Sequence, residues 1–108
     1  MTARERRFVL DGLLSHASQF AARIAPAYKA MNWRWDPVGR VPYTDDIERE
    51  IRRQIVYMRD EAGEDTIAHS CGGITVRLRE TDESDECDAG AFLEFGICEV
   101  FTVGEIPA

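Results

Sequence analysis

The chain has 108 residues, of which 44% are hydrophobic and 31% are charged, and its formal net charge is −7. This length and composition are typical of a compact globular protein, so we expect residues 1–108 to form a single domain. The apolar runs are far shorter than the roughly 20 residues that cross a bilayer, and no signal-peptide pattern follows Met1. These features favour a cytoplasmic protein.

Charge is distributed unevenly along the chain. Residues 1–40 carry seven cations and three anions, residues 41–79 carry six cations and eight anions, and residues 80–108 carry nine carboxylates and no cation. A field of this sign repels phosphate, so direct nucleic-acid binding by the C-terminal third is not expected. We expect a protein partner with a basic surface instead.

The first predicted element is a long amphipathic helix at about residues 3–31. Apolar residues recur along it at steps of three and four, which is the period of a helix with one buried face. Gly12 and Pro26 weaken the pattern. Because a proline lacks the backbone donor, we expect any break to fall near residues 24–26.

A segment rich in tryptophan and proline separates this helix from the next. Trp33 and Trp35 would share one face of an extended chain, which predicts a short third strand near residues 33–36. A second amphipathic helix is predicted at about residues 45–62, where Asp45 and Glu48 have the side-chain types of a capping box. Gly63 marks its end.

After Gly72-Gly73 the apolar period changes to two, which predicts an antiparallel β-hairpin with strands at about residues 73–79 and 91–103. Glu99 interrupts the alternation of the second strand, so we expect a bulge near Cys98. The two helices should cover the apolar face of the hairpin, because a bare hairpin is marginally stable in water. The predicted fold class is therefore α+β.

The predicted strand register keeps one face apolar and places Arg77 opposite Glu94 on the other face. In this register the apolar pairs are Ile74 with Ile97, Val76 with Phe95, and Leu78 with Leu93.

Two features are candidate partner-binding surfaces. The first is the acidic connection between the predicted strands, whose central carboxylates are Asp82, Glu83, Asp85, Glu86 and Asp88. The second is the pair Trp33 and Trp35, which would form a binding platform if exposed and would cover the core if buried. For the tryptophans we favour the core interpretation.

Catalytic and metal chemistry have weaker support in the sequence. Cys71 follows His69 by two residues and precedes two glycines, which would suit a small Cys/His enzyme, but the two side chains are too close in sequence for the usual pairing of nucleophile and base. A structural turn is the simpler interpretation. No paired Cys or His spacing and no calcium-loop pattern occurs, so we expect no metal and no cofactor.

Three short runs carry a resemblance: Met31-Asn32-Trp33-Arg34-Trp35, then Val41-Pro42 with Asp46, Ile47 and Ile51, and finally Gly72-Gly73. Together they resemble a pattern, MNWxW…VPxxxDIxxxI…GG, in small uncharacterised proteins encoded by phages and prophages. That family has no activity to transfer, so the resemblance implies a phage or prophage context and no residue role.

The leading hypothesis is a non-enzymatic phage or prophage protein that binds a protein partner through its acidic C-terminal third. A mimic of nucleic acid that inhibits a DNA- or RNA-binding protein is one version of it. The alternative is a phage structural or assembly protein that forms homo-oligomers through the aromatic segment and the sheet edges.

Overall fold

The computed structural model of the protein describes residues 2–36, 38–79, 90–95 and 98–103. The elements, in chain order, are α1 (Ala3–Ser15), α2 (Ala17–Met31), α3 (Thr44–Asp60), β1 (Ala68–Cys71), β2 (Ile74–Arg79), β3 (Gly90–Phe95) and β4 (Cys98–Val103). The described strands form an antiparallel sheet in the order β1-β2-β3-β4. The predicted α+β class is confirmed.

The predicted helix at residues 3–31 is two helices, and they are separated at His16 rather than near Pro26. His16 leaves the helical conformation (φ −106°, ψ 10°), and its Nδ1 and the Ser15 hydroxyl lie 2.9 and 2.7 Å from the Gly12 carbonyl oxygen. These side chains compete for a carbonyl that would otherwise accept the helical bond from the His16 N–H. Pro26 is exposed and lies within α2 without ending it, since water can reach the freed carbonyl.

Helix α3 begins near the predicted position but with a different cap. The Tyr43 backbone N–H donates to Asp46 Oδ2 at 2.8 Å, so the capping carboxylate is Asp46 and not Glu48. The buried stripe of α3 contains the expected isoleucines and one amide, Gln54.

The predicted third strand near residues 33–36 is replaced by a single bridge between Trp35 and Arg40. The Trp35 N–H donates to the Arg40 carbonyl at 2.9 Å, and the Gly39 N–H donates back to Trp35 at 2.8 Å. This tight reversal leaves no length for a strand. The strand that pairs with the outer side of β2 is β1, at Ala68–Cys71.

The predicted strand at residues 91–103 is also two strands, β3 and β4, which pair with each other. Since β2 offers only six positions, which β3 fills, Cys98–Val103 pairs with β3 instead. The irregularity expected near Cys98 occurs in this second pairing. Leu93 pairs with Phe101 and Glu94 with Glu99, so Val100 is the extra residue of a bulge.

The β2–β3 register differs from the prediction by two residues, which keeps the same side chains on the apolar face. Ile74 pairs with Phe95, Val76 with Leu93, and Leu78 with Ala91. Thr75, not Arg77, is directly opposite Glu94, but Arg77 reaches Glu94 diagonally, with Nε 3.3 Å from Oε1.

The core lies between the three helices and one face of the sheet. Every second side chain of β2 and β3 is buried there with apolar side chains of all three helices: Ile74, Val76, Leu78, Ala91, Leu93 and Phe95. On the opposite sheet face, the Ser70 and Thr75 hydroxyls lie 2.6 Å apart and Arg77 pairs with Glu94. None of the described helices is long and apolar enough to cross a membrane.

Candidate functional site

The five carboxylates predicted to bind a partner, Asp82, Glu83, Asp85, Glu86 and Asp88, lie outside the described residues. The structure does describe the two strand ends, of β2 and β3, to which the acidic connection is attached. Arg79, at the end of β2, pairs with Gly90, at the start of β3. The acidic connection therefore leaves and returns at the same end of the sheet.

Trp33 and Trp35 lie at the opposite end of β2, in an aromatic cluster centred on Tyr28. The Tyr28 ring centroid is 5.5 Å from that of Trp33, 5.4 Å from that of Trp35 and 4.6 Å from that of Phe95. Trp35 is only 9% exposed, and Trp33 is half-buried. Both indoles mainly cover the core, as the favoured interpretation of the sequence predicted.

Gly72 and Gly73 allow the indoles to approach the turn between β1 and β2. Both glycines have positive φ, 61° and 82°, and a Cβ on Gly73 would lie 2.4 Å from Trp33 Cη2. A Cβ on Gly72 would lie 3.3 Å from the Trp35 indole. The Tyr28 hydroxyl donates to the Gly72 carbonyl and ties the same turn to α2. The glycines thus serve the turn and the aromatic packing together.

A cleft of about 450 Å³ opens beside this cluster, and we call it the tryptophan cleft. Residues of the first half of α3 form one wall, and Cys71 and Gly72 also line the cleft. The other wall is formed by Trp33, Arg34, Trp35, Asp36 and Val38. Four residues of α3 line the cleft: Asp46, Arg49, Glu50 and Arg53. The last three lie three, four and seven positions after Asp46, so all four share one helix face.

Three carboxylates line the tryptophan cleft: Asp46 and Glu50 are bound by arginines, and the third, Asp36, is exposed. Asp46 Oδ2 accepts from Arg40 Nη1 at 2.7 Å, and this bond, with the one from the Tyr43 N–H, lowers the pKa of Asp46. Arg53 Nε donates to Glu50 Oε2 at 3.0 Å, and its Nη2 donates to Oε1. Burial would raise the pKa of Glu50, but the interactions with Arg53 and Cys71 outweigh it and the pKa is lowered.

The Cys71 thiol does not have the surroundings of a nucleophile. Partial burial and the adjacent Glu50 carboxylate raise its pKa, and Arg53 opposes this only in part. A raised pKa decreases the thiolate fraction, which is the reactive form. His69 Nδ1 lies 3.3 Å from Gln54 Oε1, and the His69 ring packs on Tyr57, so its described partners are on α3.

Gln54 connects the two strand residues to the helix. Its Nε2 donates to the Cys71 carbonyl at 3.0 Å while its Oε1 faces His69. This buried amide is satisfied from both sides, which holds β1 against α3. Within the described residues, no group of three or more His, Cys, Asp or Glu side chains is placed to hold a metal ion.

Comparison with protein families, with curated proteins and with solved structures found no match to this chain.

The three runs that the sequence analysis singled out as a pattern each contribute at least one residue to the tryptophan cleft. Asn32, with φ 51°, ends α2 in the left-handed conformation and leads into the tryptophans. Asp46 caps α3, and the two glycines receive the indoles. Each of these pattern residues therefore has a structural role.

The sequence analysis did not identify Arg49, Glu50 and Arg53 as parts of one site. Their helical spacing placed them on one face of α3, and that signal was available. Their position beside Cys71 and the tryptophans depended on tertiary packing.

Proposed function

We propose that this protein is a non-enzymatic protein from a phage or prophage, that it acts in the host cytoplasm, and that it binds a protein partner with a basic surface through its acidic C-terminal third. Nine carboxylates and no cation occur in residues 80–108. Inhibition of a DNA- or RNA-binding protein by mimicry of nucleic acid is the form of this function that the charge favours.

The observation that carries the proposal is the attachment of the acidic connection. The Arg79–Gly90 pair brings both ends of residues 80–89 together, and six carboxylates lie between them. Carboxylates tethered to one end of a sheet produce a local negative field, which steers a basic partner and raises its association rate.

The environment of Cys71 supports the non-enzymatic part of the proposal. A catalytic cysteine has a lowered pKa and a base in reach, whereas the pKa of Cys71 is raised and His69 is held by Gln54. If the protein were a Cys/His enzyme instead, alkylation of native Cys71 would be faster than that of a model thiol at pH 8. We expect it to be slower.

The test is capture of a partner from host lysate with the wild-type chain and two variants. The first variant neutralises the acidic connection with Asp82→Asn, Glu83→Gln, Asp85→Asn, Glu86→Gln and Asp88→Asn. The matched control neutralises five exposed or part-exposed carboxylates elsewhere with Glu5→Gln, Asp45→Asn, Glu61→Gln, Glu64→Gln and Asp65→Asn.

We expect the wild type and the control to capture the same protein, and the first variant to lose it. Because the interaction is between charges, capture should also fall steeply between about 50 and about 500 mM salt, since added salt shortens the distance over which charges attract. Equal capture by both variants would mean that the acidic connection is not the binding surface.

A homo-oligomeric assembly protein is the second candidate, and the sheet favours it. Among the described strands, β1 and β4 are edges whose outer backbone groups lack a strand partner. The tryptophans contribute less to this alternative, since Trp35 is buried. Light scattering that shows only a monomer up to high concentration would remove it.

A further inference from the structure

We propose that the tryptophan cleft is a second binding site, and that it takes a small anion carried on a flat ring, the chemistry of a nucleoside monophosphate. The site is separate from the acidic connection, because the two lie at opposite ends of β2. It is therefore independent of the proposed function, and either proposal can fail alone.

The charge of the ligand follows from which groups remain available. Asp46 and Glu50, with side chains 11% and 18% exposed, lie deep in the cleft and already accept bonds from Arg40 and Arg53. The arginines are at the rim: the Arg49 side chain is 77% exposed, and its Nη1 is 3.8 Å from Asp46 Oδ1, beyond hydrogen-bond distance.

The N–H donors of Arg49 are therefore still available, as are those of Arg53 that contact neither Glu50 nor Cys71. Exposed Arg34 adds a third guanidinium from the opposite wall. Among the described residues that line the cleft, Asp36 is the one carboxylate without an arginine partner, and these three guanidinium groups outnumber it. Guanidinium groups suit a phosphate or carboxylate, which can accept several charge-assisted hydrogen bonds at once.

The tryptophans that line the cleft are the reason to expect a flat ring in the ligand. Trp33 and Trp35 both line the cleft, and because Trp35 is buried, the half-buried Trp33 presents most of the flat, apolar indole surface. Aromatic rings pack favourably on indole, and arginine stacks on such rings as well. A volume of about 450 Å³ lies within the range of small-molecule sites and accommodates one nucleotide.

The chain contains only two tryptophans, and both line the cleft. Intrinsic tryptophan fluorescence therefore reports on this site without a label. The experiment is titration of the full chain with adenosine and guanosine monophosphates, with the matching nucleosides, and with inorganic phosphate. Calorimetry gives the same affinities independently of fluorescence.

We expect a saturable fluorescence change with a nucleoside monophosphate, and at least about tenfold weaker binding of the nucleoside and of inorganic phosphate, because each retains only half of the recognised chemistry. Equal affinity for phosphate would mean nonspecific adsorption of an anion and would overturn the proposal. Absence of binding by both methods would overturn it too.

Two arginines that are three residues apart on α3 provide a matched pair of variants. Arg49→Gln removes a guanidinium that lines the cleft, and we expect about tenfold weaker binding. Arg52→Gln removes an equal charge that does not line it and is paired with Glu48 at 3.1 Å, so its affinity should be within twofold of wild type. Equal losses in both variants would show only a general effect of net charge.

Discussion

The two ends of strand β2 differ in how they use charge. At the Ile74 end, beside the tryptophan cleft, Asp46 and Glu50 are held by arginines at hydrogen-bond distance, and aromatic rings pack on glycines. At the Arg79 end, the connection to β3 carries six carboxylates and no cation in residues 80–89. Short-range pairing stabilises the fold, whereas charge of one sign acts on partners at a distance.

This difference means that changes at the Ile74 end should alter stability, and changes at the Arg79 end should alter binding. The largest effect is expected for Gly73→Ala. The new Cβ would meet Trp33 at 2.4 Å on a backbone with φ 82°, so strain and overpacking add. We expect a loss of about 3 kcal/mol in the free energy of unfolding, measured by urea denaturation.

Gly39→Ala is the control that separates the two contributions. Gly39 also has positive φ, 69°, but nothing lies within 4 Å of its Cβ position. Its loss should be about 1 kcal/mol, from backbone strain alone. Equal losses for the two variants would show that the contact with Trp33 contributes nothing.

The next largest effect is expected for Tyr28→Phe, which removes the hydroxyl that donates to the Gly72 carbonyl. The ring and its aromatic contacts remain, so the loss should be about 1.5 kcal/mol, the upper end of the net value of an intramolecular hydrogen bond. Tyr43→Phe, at a position 65% exposed, should change the free energy of unfolding by less than about 0.5 kcal/mol. If the Tyr28→Phe variant is as stable as this control, the hydrogen bond from Tyr28 to Gly72 does not stabilise the fold.

A third effect, near 1 kcal/mol at pH 7, is expected for Asp46→Asn, which weakens the cap of α3 and the bond from Arg40. The bond from Arg40 is the main cause of the lowered pKa of Asp46, so the folded chain releases this proton more readily than the unfolded chain, whose carboxyl titrates near 3.8. Stability from Asp46 is therefore complete above about pH 4 and is lost as pH falls through the folded pKa.

Urea denaturation of the wild type and Asp46→Asn across pH 7 to 3 measures this. The difference between the two chains should hold near its full value down to about pH 4 and then shrink. A difference that stays constant through the acid range would mean that the charge of Asp46 has no part in it.

The smallest effect on stability is expected at the Arg79 end. Neutralising Asp82, Glu83, Asp85, Glu86 and Asp88 together should change the free energy of unfolding by less than about 0.5 kcal/mol, with any change stabilising, because like charges repel. The same variant should lose the protein partner that we propose. A large destabilisation would show instead that these carboxylates are part of the folded structure and would remove the contrast between the two ends.

Much of the fold was predictable because it depends on local period. The buried stripe of α3 and the alternating residues of β2 follow from spacing alone, and a two-residue shift in register changed the pairs without changing the faces. The break at His16 was missed because it depends on two side chains that compete for the Gly12 carbonyl, a geometry that propensity does not describe. Strand β1 was not predicted as a strand, because it is only four residues long and its burial does not alternate clearly.

The candidate sites divide in the same way. The sequence by itself determined the acidic C-terminal third, because net charge is a sum over residues and needs no coordinates. Only the tertiary structure decided that Trp33, Arg49 and Cys71, far apart in the chain, border one cleft, and that both tryptophans rest on glycines. Such contacts form when separate elements pack on a shared core. The hydrophobic period of one segment predicts which of its faces is buried, but not which residues of another segment that face contacts.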